Sequence, residues 1–232
     1  MDFAFAPAPI SSLPIAGETA RFPIRRIFCV GRNYAAHARE MGHDPDREPP
    51  FFFSKPADSV VDSGVAVPYP PQTQDFHYEA ELVVAIGKAG VSIPVASALD
   101  HVFGYAIGND LTRRDLQSKA KSMGRPWDLA KGFDRSAVIG PIHRAASLGD
   151  LTPSRISLWV NDVLRQDSTL DQMIWPVADV IAFLSASIEL APGDLIMTGT
   201  PEGVGALVPG DICEISIEGL GRITTQIIEP AL

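Results

Sequence analysis

The chain has 232 residues, 46% of them hydrophobic, enough to bury one full core. Nineteen Lys and Arg stand against 28 Asp and Glu, a formal −9, and no basic stripe argues for nucleic acid or an anionic membrane surface as partner. Cys29 and Cys213 are too few and too far apart for a disulfide scaffold or a zinc site, which fits a reducing cytoplasm.

From the N-terminus, residues 1–24 read as an extended arm rich in Pro and small residues. It has no basic start, and Pro7, Pro9 and Pro14 interrupt its apolar residues, so it is not a secretory signal. No later stretch approaches the roughly 20 apolar residues of a membrane span. A soluble, cytoplasmic protein is expected, with a single domain over 25–232. Ile27–Val30 predicts a short buried strand broken by Gly31-Arg32-Asn33, and Tyr34–Met41 has helical composition. Gly42–Pro50 is a polar loop with the character of a lid, after which Phe51–Phe53 restarts strand and Lys55-Pro56 ends it. Residues 78–86 predict a strand, and 102–108 another that ends at Asn109-Asp110. Pro94–His101 predicts a short helix. Thr112–Lys121 predicts a second, with Thr112 and Asp115 at capping-box spacing. Ile156–Val160 and Val163–Arg165 flank Asn161-Asp162 as a hairpin, and Pro176–Ser187 predicts an amphipathic helix. Leu195–Met197 leads into a glycine-rich turn, and Ile212–Ile217 with Ile223–Ile228 forms a last hairpin. Strands dominate without βαβ alternation, which predicts a mixed α+β, mainly β, largely antiparallel architecture with short peripheral helices.

The chemistry concentrates in a few places. Glu79 and Glu81 lie at i and i+2 of a strand and project side by side, roughly 7 Å apart along the backbone. Two like carboxylates beside a core run repel each other unless a cation neutralises them. Asp110, at the end of a neighbouring strand, would complete an all-oxygen site suited to Mg²⁺ or Mn²⁺. Glu-x-Glu also lines the solvent face of ordinary edge strands, and spacing leaves both readings open. His77 could ligate the same ion or merely cap the strand. His37 and Glu40 fall at i, i+3 on the helix after Gly-Arg-Asn-Tyr, either an exposed pair or a carboxylate-oriented general base. Arg113, Arg114, Lys119, Lys121, Arg125 and Lys131 form a basic run, either a solvated helix face or a patch for an anionic small molecule. Lys131 sits among apolar residues and needs an anionic partner or a shifted pKa. Thr198–Gly205, TGTPEGVG, is either a tight turn or a place where backbone amides approach an anion.

Taken in order, five motifs resemble the fumarylacetoacetate hydrolase family from about Arg25 to the C-terminus. They are Cys-Val-Gly-Arg-Asn-Tyr-x-x-His-x-x-Glu (Cys29–Glu40), Glu79-x-Glu81, Gly-Asn-Asp-x-Thr-x-Arg-Asp-x-Gln (Gly108–Gln117), Trp-x-x-Ala-Lys (Trp127–Lys131) and Thr-Gly-Thr-Pro-x-Gly-Val-Gly (Thr198–Gly205). The resemblance implies a fumarylacetoacetate-hydrolase-like β-roll, usually a homodimer, with Mg²⁺ or Mn²⁺ on Glu79, Glu81 and Asp110. It implies catalytic roles for His37, Glu40 and Lys131, and a substrate site lined by Arg32, Arg114, Gln117 and Thr200. Where the family commonly places an acidic residue before the dyad histidine, this chain has Ala36. The implied activity is metal-dependent hydrolysis of a C–C bond in a 2,4-diketo acid. The short length and the stretch GHDPDREPPFFF look most similar to bacterial enzymes that cleave fumarylpyruvate in gentisate-type aromatic catabolism. Acylpyruvase, oxaloacetate decarboxylase and dienoate isomerase are the alternatives within the family, and a metal-stabilised binding protein is the alternative outside it. Arg25, Arg47, Lys119 and Arg125 are the candidates for the far end of the substrate.

Overall fold

A computed structural model describes residues 3–36 and 49–230. Strands outweigh helices, and the largest sheet has eight strands. Its order is Phe51–Lys55, Arg26–Gly31, Asp194–Met197, Ala80–Ile86, Val102–Asp110, Ala137–Ile139 and Val60–Asp62, with His143–Arg144 pairing on Val102–Asp110. Most neighbours run antiparallel. Asp194–Met197 on Arg26–Gly31 and Ala137–Ile139 on Val60–Asp62 are parallel. A five-stranded sheet contains the two predicted hairpins, Arg155–Val160 with Val163–Thr169 and Ile212–Ile217 with Gly221–Ile228. The first turns through Asn161 (φ 50°) and Asp162 (φ 63°), the paired left-handed residues that a two-residue hairpin loop requires.

The central strand explains its own composition. All seven residues of Ala80–Ile86 are buried, because the sheet is covered on both faces. Leu82 points into a core shared with Leu158, Ile215 and Ile223 of the five-stranded sheet. Val83 and Ala85 pack on Met197, Leu13 and Phe22, the last two from the N-terminal hairpin Ser12–Pro14/Arg21–Pro23. Val84 and Ile86 meet Val180, Ile181 and Leu184 of the helix Val177–Ser185. Burying one such side chain contributes about 1.5–3 kcal/mol. This strand is therefore held from three directions and makes a rigid base for what precedes it.

Two expectations change in detail. The strand predicted over 78–86 is interrupted at Glu79, which separates Phe76–Tyr78 from Ala80–Ile86. The helix after Thr112 begins at Arg114 and has no side-chain cap. Thr112 pairs with His77 in a short ladder and donates its hydroxyl to the Asp110 carbonyl at 3.0 Å. Asp115 is occupied instead by the Thr73 hydroxyl (2.6 Å) and the Gln74 amide (2.9 Å). Long-range pairing has outcompeted the local capping box. Residues 95–101 wind as a 3₁₀ helix. No helix among the described residues is long and apolar enough to cross a membrane.

Candidate active site

Glu79, Glu81 and Asp110 converge. All three are buried, and one carboxylate oxygen from each lies within 4.8 Å of the others. The register produces this: Glu81 stands opposite Gly108 across the central antiparallel pair, and Asp110 is two residues on, hence on the same face. The Asp110 amide donates to the Glu79 carbonyl at 2.9 Å, and the Glu79 amide donates to Asn109 Oδ1 at 3.1 Å. Asn109 thus points to the opposite side and fixes the backbone of the Glu79 break.

Three cations surround the triad and pair with two of its carboxylates, Glu79 and Asp110. Lys131 Nζ donates to Glu79 Oε2 (2.7 Å) and Asp110 Oδ2 (2.8 Å). Arg114 Nη2 donates to Glu79 Oε1 at 2.5 Å. Lys55 Nζ lies 2.8 Å from Asp110 Oδ1, an ion pair too poorly aligned to be a hydrogen bond, and is caged by the carbonyls of Leu111 (3.2 Å), Ser136 (3.0 Å) and Lys131. Burial acts to lower the Lys131 pKa, but Asp110 and Glu79 outweigh it and hold the ammonium above the usual lysine value. Glu81 is pushed well up, by burial first and then by the charges of Asp110 and Glu79, although the Gly199 amide donates to its Oε2 at 2.9 Å. Gly199 adopts φ 94°, and a Cβ there would meet Asn33 Cβ at 2.8 Å, so glycine is required for that amide to reach the carboxylate.

The residues expected to face a substrate gather on the same cleft. A narrow cleft lies between Arg32, Glu79, Glu81, Arg114, Gln117 and Thr200, with Lys121, Trp127 and Lys131 also on its wall. Arg114 Nη1 donates to Gln117 Oε1 at 2.5 Å. Its Nε donates to His77 Nδ1 at 3.3 Å, which makes Nδ1 an acceptor and leaves the proton on Nε2, 2.7 Å from Asp75 Oδ1. Burial and the Arg114 charge lower the His77 pKa, in keeping with a neutral ring. His77 therefore holds Arg114 and stands outside the carboxylate triad. Thr200 Oγ1 accepts from Gln166 Nε2 at 2.9 Å, because the Gln166 oxygen is taken by the Ala80 amide at 3.0 Å. The Thr200 hydroxyl proton is thereby left to serve the cleft. Arg32, at φ 57°, lays its guanidinium over Phe51, 4.9 Å from the ring centroid. Asn33 of the same motif is structural, donating to the carbonyls of Trp175 (2.9 Å) and Thr198 (2.8 Å). His37, Glu40 and most of the Gly42–Pro50 loop lie outside the described residues.

Residue-level reading passed over Lys55 and Gln166. Lys55 looked like the end of a strand, yet a lysine closing the apolar run Phe51–Phe53 is a signal for a buried ammonium in search of oxygens.

The triad's donor set fits a hard divalent cation: three carboxylates, all oxygen, buried and close, with an Asp110 oxygen that accepts no hydrogen bond. Comparison with known proteins agrees. Residues 26–228 match the model of the fumarylacetoacetate (FAA) hydrolase C-terminal family. The chain belongs to the fumarylacetoacetate hydrolase family. A crystal structure of fumarylpyruvate hydrolase from Pseudomonas aeruginosa, in complex with Mn²⁺ and pyruvate, is similar with a TM-score of 0.96 and 53% identity over 98% of this chain and 100% of that one. Fumarylpyruvate hydrolase from a Ralstonia species is 43% identical, covering 81% of this chain and 98% of its own length. The human mitochondrial oxaloacetate tautomerase is 39% identical, covering 89% and 93%. The family's β-roll, expected from the motifs, is the fold observed, and a divalent cation belongs with its acidic triad.

Proposed function

We propose that this family member hydrolyses the C3–C4 bond of a 2,4-diketo acid, with fumarylpyruvate as substrate and fumarate and pyruvate as products. The observation that carries the reading is the buried triad with its cationic collar, in a chain 53% identical to a fumarylpyruvate hydrolase crystallised with Mn²⁺ and pyruvate. Glu79, Glu81 and Asp110 would hold the Mg²⁺ or Mn²⁺, which supplies Lewis-acid stabilisation of charge developing on the 2-oxo acid end. Arg114 and Gln117 orient that end through charge-assisted hydrogen bonds, and Thr200 donates its free hydroxyl proton to it. Arg32 closes the wall beside Phe51. His37, oriented by Glu40, takes a proton from the water that attacks C4, a contribution of about 10²–10⁴ in rate. The C3–C4 bond then breaks, its electron pair passing to the pyruvate enolate, which is protonated at C3. Lys131 steadies the enolate charge through its ammonium. The same reading makes the protein a cytoplasmic homodimer serving aromatic-ring catabolism.

Metal-stripped protein incubated with fumarylpyruvate should release equal amounts of pyruvate and fumarate only after Mg²⁺ or Mn²⁺ is restored. His37→Ala should abolish the release. A second reading, oxaloacetate chemistry, draws on the human relative. Decarboxylation or tautomerisation needs only enolate stabilisation, so turnover of oxaloacetate that survives His37→Ala, with fumarylpyruvate left intact, would move the function there.

A further inference from the structure

The cations around the cleft differ in what already occupies them. Lys55, Arg114 and Lys131 each lie within 2.8 Å of a triad oxygen. Lys121 does not. It lines the cleft half-buried, and among the described residues no carboxylate, carbonyl or hydroxyl accepts from its ammonium. Its ammonium faces the Trp127 ring, at 5.9 Å from Nζ to the centroid, near the outer limit of a cation–π contact. Burial lowers its pKa, and the like charges of Arg32 and Arg114 lower it further. A surface lysine with a flexible stem would turn to water instead. One held among like charges at the mouth of a cleft is a local conflict that an anion would resolve.

Its position on the helix Arg114–Ser122 gives the anion a place. Arg114, Gln117 and Lys121 are spaced i, i+3, i+7, a single stripe on one helix face. Arg114 meets Glu79 at the triad and holds Gln117, and Lys121 lies about 10 Å beyond Arg114 along the helix axis. Of the other cations considered for the far end of a substrate, Arg47 lies outside the described residues and the remaining three are placed worse. Arg25 is engaged by Asp194, Lys119 is exposed, and Arg125 is exposed beside a neighbouring aromatic cleft. We propose that Lys121 receives the second carboxylate of a dicarboxylic substrate, so that the stripe Arg114–Gln117–Lys121 spans the ligand from its 2-oxo acid end to its far acid end. The proposal deepens the diketo-acid reading and rests on it for the identity of the near end.

The test compares ligands with and without a far carboxylate. With Lys121→Gln, the KM for fumarylpyruvate should rise about ten- to hundredfold with kcat little changed. The KM for acetylpyruvate, which lacks the far acid, should stay put, and Lys121→Arg should recover most of the loss. Lys119→Gln, on the exposed side of the same helix, controls for changes in overall charge. A second readout needs no turnover: calorimetric affinities of Mn²⁺-loaded protein for 2-oxoadipate and 2-oxohexanoate. Wild-type protein should prefer the diacid, and Lys121→Gln should erase that preference. Equal losses for both members of a pair, or no loss for either, would overturn the assignment. If wild-type protein turned over neither diketo acid, the hydrolase reading would fall, while the binding pair would still decide the role of Lys121. Should Lys121→Gln fold poorly, Lys121→Met carries the same comparison.

Discussion

Two regions bury carboxylates against the same eight-stranded sheet, and they are finished differently. Asp194, fully buried, is met by Arg25 at 3.1 Å, Arg26 at 2.9 Å and the Ala191 amide at 2.9 Å. One acid faces two arginines and a backbone donor, and among the described residues it belongs to no cluster of three acids. At the triad, three acids crowd together, three cations only balance them, and a cleft opens alongside. A single buried acid closed by its partners pins the strand Arg26–Gly31 to its neighbour Asp194–Met197 and ends there. A crowd of acids, each already bonded, keeps an unrelieved repulsion that a further cation can relieve.

The largest way to break this contrast is Glu81→Ala. Cation binding, followed by calorimetry, should disappear and kcat/KM should fall about 10³-fold. Stability of the metal-free protein should nonetheless hold or rise by about 1 kcal/mol in denaturant titrations, since the cost of burying the Glu81 carboxyl beside two other acids is gone. Asp194→Asn should do the reverse. Loss of its ion pairs to two partly exposed arginines should lower stability by about 2–3 kcal/mol, with kcat/KM of the folded fraction unchanged. A smaller effect concerns pH. The folded Glu81 pKa is raised, so the metal-free native state binds more protons than the unfolded chain, and its stability should decline as pH rises above the ordinary carboxyl range. Added Mn²⁺ displaces that proton. Its stabilising shift should therefore grow with pH, read as paired thermal melts between about pH 5 and pH 8. A metal-induced shift that was flat with pH would mean that Glu81 is ionised throughout.

Much of this was legible in the chain because its signals are local. The Asn161-Asp162 turn, the continuous apolar run of Ala80–Ile86 and the shared face of Glu79 and Glu81 each follow from neighbours a few residues apart. The need of Lys131 for an anionic partner was equally readable, and Glu79 and Asp110 supply it. What escaped depends on distance along the chain. Lys55 finds Asp110 across 55 positions, and Gln166 reaches Ala80 across 86. Thr112 and Asp115 carried a sound local signal for a helix start. The ladder with His77 holds the Thr112 backbone extended while its hydroxyl turns to the Asp110 carbonyl, and Thr73, brought in by the fold, takes Asp115.

The cage around Lys55 also has a temporal meaning. Its carbonyls come from Leu111, Lys131 and Ser136, and its carboxylate from Asp110, so the lysine has nowhere to put its charge until the strand Phe51–Lys55 has met all of them. Contacts of such long sequence separation form late, after the loop-closure entropy has been overcome. The acidic cluster therefore acquires its full set of counter-charges only once these segments have docked. Tight uptake of a divalent ion would then mark the chains that have completed folding, and a trapped intermediate would be recognisable by its failure to bind one.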